Sequence, residues 1–181
     1  MKLKNLREEH LIFAFIVVIA LLRMIPHPWN FTPVGALALF SGAYLSKKGY
    51  FILPLGALLI GDAWYGFYNG IVFTAVYLGF IASTIVGRKL LANNYSHARL
   101  GSSIGLGALS FWLISNAGSW LAFYPLTFEG LIQCYVNGIP YLGRSLVADG
   151  LYAILIFSVF FALKNKVFNA KLSTFNSNAA Q

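Results

Sequence analysis

The chain has 181 residues, of which 59% are hydrophobic and only 10% charged, far below the charged quarter of an ordinary soluble domain. Thirteen Lys and Arg against five Asp and Glu give a net charge of +8, but these basic residues are sparse and scattered between apolar stretches, which excludes a nucleic-acid interface. One cysteine, Cys134, excludes a disulfide framework and any multi-cysteine metal site.

Taken in chain order, charges and turn formers cut the sequence into six apolar blocks. The first runs from Leu11 to Leu22 and ends at Arg23-Met24-Ile25-Pro26. It lacks the small-x-small cleavage site of a signal peptide, so a retained helix is expected. The second opens at Thr32-Pro33, a cap followed by a first-turn proline, and reaches Leu45. The third spans Tyr50 to Tyr68 and stops at the Asn69-Gly70 turn signal. The fourth covers Ile71 to Val86, before Arg88-Lys89. The fifth covers Leu100 to Phe123, closed by Tyr124-Pro125. The sixth covers Leu146 to Leu163. Spanning helices need about 20 mostly apolar residues, so the pattern predicts an all-α polytopic membrane protein with six transmembrane helices. One transmembrane domain, residues 1–171, is followed by a polar tail, residues 172–181, expected to be frayed.

Cytoplasmic loops of membrane proteins retain Lys and Arg. With both termini cytoplasmic, eleven of the thirteen basic residues fall inside, and only Arg23 and Arg144 remain outside. The expected location is the bacterial cytoplasmic membrane.

This topology gathers the remaining acids, Asp62, Glu129 and Asp149, toward the outer half. Intramembrane polar groups turn toward partners or a cavity, so an outward-facing pocket for a small, partly aromatic molecule is expected. Helical spacing supplies its walls. Asp62, Tyr65 and Asn69 fall at i, i+3 and i+7 of the third helix. Trp112, Asn116, Trp120 and Tyr124 recur every fourth residue of the fifth, beside Ser119. Ser145, Asp149 and Tyr152 share a face of the sixth, and Arg144 is adjacent. Trp29, Asn30 and His27 stand in the first outer loop. The competing reading is an interfacial aromatic belt with structural ion pairs such as Arg23–Asp62 or Arg144–Asp149.

Between the fifth and sixth helices, Thr127 can cap a short helix that Asn137-Gly138 and Pro140 end. Too short to span, it reads as a re-entrant or surface lid, with Tyr135 over the pocket. Cys134 within it is either a small packing residue or a soft metal ligand beside a bound molecule. Enzyme motifs are absent: no phosphate loop, no HExxH, no GxSxG and no CxxC. Three dispersed histidines, His10, His27 and His97, make no metal triad. No enzyme and no resident cofactor are expected. Small-xxx-small pairs, Ala38 with Gly42 and Gly101 with Gly105, permit close helix approach.

The run Asn30-Phe31-Thr32-Pro33-Val34-Gly35-Ala36-Leu37-Ala38-Leu39-Phe40-Ser41-Gly42-Ala43-Tyr44, with Gly61-Asp62, Ser115-Asn116, Trp120, Tyr124-Pro125, Cys134-Tyr135, Ile139-Pro140-Tyr141 and Asp149, resembles a family of small bacterial membrane proteins of unknown function. That family is similar in turn to the S components of energy-coupling-factor (ECF) vitamin transporters. The resemblance implies six helices and a vitamin-like ligand held at the outer face. It also implies uptake driven by a separate T component and ATPases. S components that dock on the shared T module carry Ala-x-x-x-Ala on the first helix. Here Val18 follows Ala14, and Ile16 precedes Ala20. The departure resembles a solitary, cobalamin-type S component, in which a cysteine ligates cobalt; this implies a role for Cys134. The alternative from another class is a non-transporting scaffold or assembly subunit in the lipid bilayer.

Overall fold

The computed structural model describes residues 17, 18, 21, 30–45 and 49–179, with side chains from 50 up to 165 in the latter stretch. The first predicted helix, the Lys47-Lys48 loop and the outer-loop residues Arg23, His27 and Trp29 lie outside the described residues, apart from Val17, Val18 and Leu21, which are helical. Five helices account for the rest, with no strand among the described residues. They are α1 (Val34–Tyr44), α2 (Gly49–Tyr65), α3 (Gly70–Leu91), α4 (His97–Phe123) and α5 (Phe128–Ala179). The described residues are all-α; of the six transmembrane helices expected, three are long and apolar enough to cross a membrane, and Val34–Tyr44 and Tyr50–Tyr65 are shorter apolar helices.

α1 is the hub. All but Tyr44 of its residues are buried, as expected of a helix apolar on every side. Its 11 residues rise only about 17 Å. Gly42 meets the backbone of Thr84 and Arg88 on α3, and Gly87 of α3 meets the backbone of Leu39. The Ala38–Gly42 pair therefore serves an internal crossing, where two backbones touch because neither glycine carries a Cβ. Hydroxyls inside the bundle are satisfied locally: Ser41 donates to the Leu37 carbonyl at 2.6 Å and Thr84 to the Phe80 carbonyl at 2.8 Å. Ser83 also crosses to the Gly107 carbonyl of α4 at 3.0 Å.

At one end, Phe40 and Tyr44 of α1 stack among Phe157, Phe160 and Phe161 of α5, with Tyr95 against Phe157 and Phe161. Arg88 and Arg99 sit at this end. Arg88 donates to the Leu45 carbonyl and Arg99 to the Leu90 carbonyl, each at 3.4 Å. Cations suit the carbonyl end of a helix, which explains why α3 continues through Arg88 and Lys89 to Leu91 instead of stopping before them.

Two further boundaries differ from expectation. α2 stops at Tyr65 because Gly66 takes φ 98°, a left-handed helix end that glycine adopts without strain. Asn69 therefore belongs to the next helix: its Oδ1 accepts from the Ile71 and Val72 amides at 3.0 and 3.3 Å, capping α3. The separate lid helix does not exist. Thr127 does cap, accepting from the Gly130 amide at 3.2 Å, but the helix it starts runs on through Asn137, Gly138 and Pro140 as one element to Ala179. It includes residues 172–179 of the segment expected to fray. The cause is interhelical contact. A Cβ on Gly138 would collide with Asn116 and Trp112 of α4, so glycine permits α5 to lie against α4, and one missing proline amide is tolerated in a packed apolar helix.

α3, α4 and residues Phe128–Asn165 of α5 are long and apolar enough to cross a membrane. Their outward faces expose Leu78, Ile85, Leu106, Leu109, Leu113, Leu121, Val147, Leu151, Ile154 and Leu155. Water-soluble monomers rarely present so continuous an apolar surface, and the chain reads as a membrane protein. The apolar stretch of α5 is 38 residues, about 57 Å. That is nearly twice a hydrocarbon core of about 30 Å, so only part of α5 can cross.

Candidate functional site

All five helices contribute to one cavity of about 1330 Å³, larger than the roughly 300–1,000 Å³ of common small-molecule sites. Its walls are helical stripes. α2 supplies Leu58, Asp62 and Tyr65; α3 supplies Val72, Val76, Phe80 and Ser83; α4 supplies Phe111, Ser115, Asn116, Ser119 and Phe123. α5 supplies Cys134, Asn137, Gly138, Tyr141, Ser145 and Asp149, a run of three- and four-residue steps along one helix face. Asn30, Thr32 and Gly35 close the side toward α1, and the exposed loop Gly66–Asn69 with Tyr124 forms the rim. Asn30 reaches this position with φ 62°, which asparagine tolerates better than most residues.

The two acids sit in the walls and are buried. Asp62 is 3% exposed and accepts from the Tyr77 hydroxyl at 3.1 Å. Asp149 is 7% exposed. Its carboxylate takes a backbone hydrogen bond from Ala36, and it occupies the space that a Cβ on Gly35 would need. Pro33, at the N-cap of α1, offers no side-chain cap. Asp149 therefore serves the amide end of α1 from another helix, where a negative charge is favoured. Arg144 turns elsewhere: it is exposed, with its guanidinium 5.6 Å from the Tyr141 ring centroid.

Of the expected site residues, Asn30, Asp62, Tyr65, Asn69, Asn116, Tyr124, Cys134 and Asp149 line the cavity. Two, Trp120 and Tyr135, are not in its lining. Trp29 lies outside the described residues. Trp120 donates its Nε1–H to the Pro125 carbonyl at 2.9 Å, bracing the end of α4. Tyr135 donates to the Leu113 carbonyl at 2.7 Å and packs edge-on against Trp112, 5.1 Å away, tying α5 to α4. Tyr152 leaves the cavity face as well, packing against Phe31 at 6.1 Å. Asn69 lines the rim, but its side chain is the α3 cap. The lining stripe of α4 is shifted one residue from the Trp112–Trp120 series, because the small Ser115 and Ser119 face the void while the indoles fill contacts beside it. Tyr77, the partner of Asp62, carried no signal before α2 and α3 were brought together.

Cys134 is 2% exposed, and its thiol donates to the Asn116 carbonyl at 3.4 Å. Asn116 in turn donates Nδ2–H to the Trp112 carbonyl at 2.8 Å, and Asn137 donates to the Tyr124 hydroxyl at 3.3 Å. Trp112 Nε1 lies in the same α4–α5 seam and is the one buried side-chain nitrogen or oxygen among the described residues without a hydrogen-bond partner. No group of three or more His, Cys, Asp and Glu suited to a metal ion occurs among the described residues.

The geometry is that of an all-helical membrane protein with a mostly apolar cavity, carrying a few polar side chains, among its helices. The chain belongs to DUF6580, a family of unknown function whose model matches residues 4–173. No curated protein and no solved structure matches it.

Proposed function

We propose that the protein captures a small organic molecule from the outer side of the bacterial cytoplasmic membrane, as a substrate-binding or uptake protein of S-component-like type. The observation that carries this reading is the cavity of about 1330 Å³ among the five helices. Its rim at Gly66–Asn69 and Tyr124 lies at the end of the bundle opposite Arg88, Lys89, Arg99 and Lys164. Basic residues favour the cytoplasmic side, so this polarity supports a cavity reached from outside. Asp62, Asn116 and Asp149 are the polar contacts, and the neighbouring tyrosines and phenylalanines cover the apolar body of the ligand.

The scaffold alternative draws on different residues. Asn69, Trp120 and Tyr135 do brace helix ends and seams, as that reading requires of outer polar groups. It leaves the cavity unexplained, and capture is preferred for that reason. Cobalamin gains no support from the geometry, because the Cys134 thiol is buried and directed at α4.

The test is mass spectrometry of small molecules released when protein purified in mild detergent is denatured. The reading expects one organic compound retained in near-stoichiometric amount. An empty preparation, with no thermal stabilisation by any vitamin-like compound, would contradict it.

A further inference from the structure

We infer that Ser145 and Asp149, one turn apart on α5, form the polar anchor of the cavity. They hold a ligand group that donates and accepts a hydrogen bond at once, an alcohol hydroxyl or a primary carboxamide, on an apolar body. The inference rests on the capture reading above and names the group by which the captured molecule is recognised. Five Ser and Thr side chains are buried among the described residues: Ser41, Ser83, Thr84, Ser103 and Ser145. The first four each donate to the carbonyl four residues back along their own helix, a common way for a hydroxyl to be satisfied inside a helix. Ser145 makes no such bond to the Tyr141 carbonyl and has no other hydrogen-bond partner among the described residues.

Ser145 is 8% exposed and lines the cavity. Trp112 Nε1 is sealed inside the α4–α5 seam; the Ser145 oxygen is not sealed, so a molecule in the cavity can reach it. A hydroxyl buried without a partner lowers stability. Ser41, Ser83, Thr84 and Ser103 avoid that cost within their own helices, whereas Ser145 leaves it to be met from the cavity.

Asp149, four residues on, fixes what the partner must be. Side chains at i and i+4 of a helix have Cβ atoms about 5–6 Å apart, so one ligand group reaches both. The Asp149 carboxylate takes the Ala36 amide, and its two oxygens have room for about four hydrogen bonds in all. A carboxylate accepts only, while the Ser145 hydroxyl has a proton to give. An ammonium donates to Asp149 but offers Ser145 no acceptor. A ligand carboxylate accepts from Ser145 but is set against the charge of Asp149, and an ether accepts without donating. A hydroxyl does both from one atom, and a primary carboxamide does both through its N–H and C=O. Val72, Val76 and Phe80 of α3, with Leu58 and Phe111, supply apolar lining for the rest of the molecule.

The test uses the full chain in mild detergent. The compound released on denaturation should carry an alcohol or a primary carboxamide; one with neither overturns the anchor and leaves capture standing. Returned to stripped protein, that compound should bind Ser145→Ala with a Kd at least about tenfold higher than wild type. Ser110→Ala, which removes a hydroxyl bonded to the Leu106 carbonyl of its own helix, should bind it as wild type does. Ser145→Ala should keep or raise the Tm of the empty protein, because it removes an unpartnered hydroxyl. Unchanged affinity in Ser145→Ala, or a Tm lowered as by the loss of an internal hydrogen bond, overturns the anchor. If the wild type is purified empty, 3-phenylpropan-1-ol and its methyl ether are the probes. The alcohol should bind at least about tenfold more tightly by titration calorimetry, and equal binding overturns the anchor. An empty protein that binds neither overturns capture, and this inference with it.

Discussion

The carboxylate of Asp149 on α5 lies where the side chain of residue 35 on α1 would otherwise be. Gly35 is therefore fixed by the acid that faces it, and the acid is anchored by the Ala36 amide one residue later. The contact joins the buried hub helix to the cavity wall. Gly35→Ala should lower stability by about 1–3 kcal/mol, as overpacking does. Asp149→Ala should cost a similar amount by leaving a buried amide unsatisfied. The double variant should be less damaged than the sum, since removing the carboxylate makes room for the new methyl group. Thermal unfolding in detergent of the four proteins measures this coupling, and strict additivity would contradict the contact.

Glycines on the two sides of the bundle should respond differently to the same change. Gly42→Ala and Gly87→Ala each drive a methyl group into backbone across the α1–α3 crossing, and each should destabilise by at least about 1–3 kcal/mol. Gly101 and Gly105 on α4 have open space around a Cβ. Alanine there should be neutral or stabilising by up to about 1 kcal/mol, through helix propensity alone. Monodisperse yield and Tm of the four variants report the contrast.

Asn69 separates a cap from a ligand group. Its Oδ1 holds the first turn of α3, so Asn69→Ala should cost about 1 kcal/mol of stability. Asn69→Ser should retain most of that stability, and ligand affinity should change little in either. A large loss of affinity at unchanged Tm would return Asn69 to the binding site.

What could be read from the sequence was set by cost. A charged or amide side chain in an apolar helix needs a reason to be there, so Asp62, Asn116 and Asp149 stood out and do line one cavity. A boundary written in single-residue chemistry, the Thr127 cap of α5, which accepts from the Gly130 amide at 3.2 Å, was nearly as plain. What escaped was decided between helices. Asn137-Gly138 and Pro140 carry the local signals of a helix end, yet contact with α4 carries α5 through them. Trp112 and Trp120 are more conspicuous than Ser115 and Ser119, but a void is lined by residues too small to fill it.

The α4–α5 seam makes a prediction for Cys134. With its thiol buried and bonded to the Asn116 carbonyl, it should react with N-ethylmaleimide at least about tenfold more slowly in the folded protein than after denaturation. Gly138→Val forces α5 away from Asn116 and Trp112 and should accelerate labelling markedly. Fast labelling of the folded wild type would show that the seam is open.

Capture itself is tested most directly by filling the cavity. The compound released from the purified protein, added back to stripped protein, should bind saturably at one site per chain. Ser115→Trp places an indole in the void between α4 and its neighbours. With Tm maintained, it should abolish that binding, while Leu109→Trp on the exposed outer face of α4 should leave it intact. Equal binding by wild type and Ser115→Trp would contradict the account.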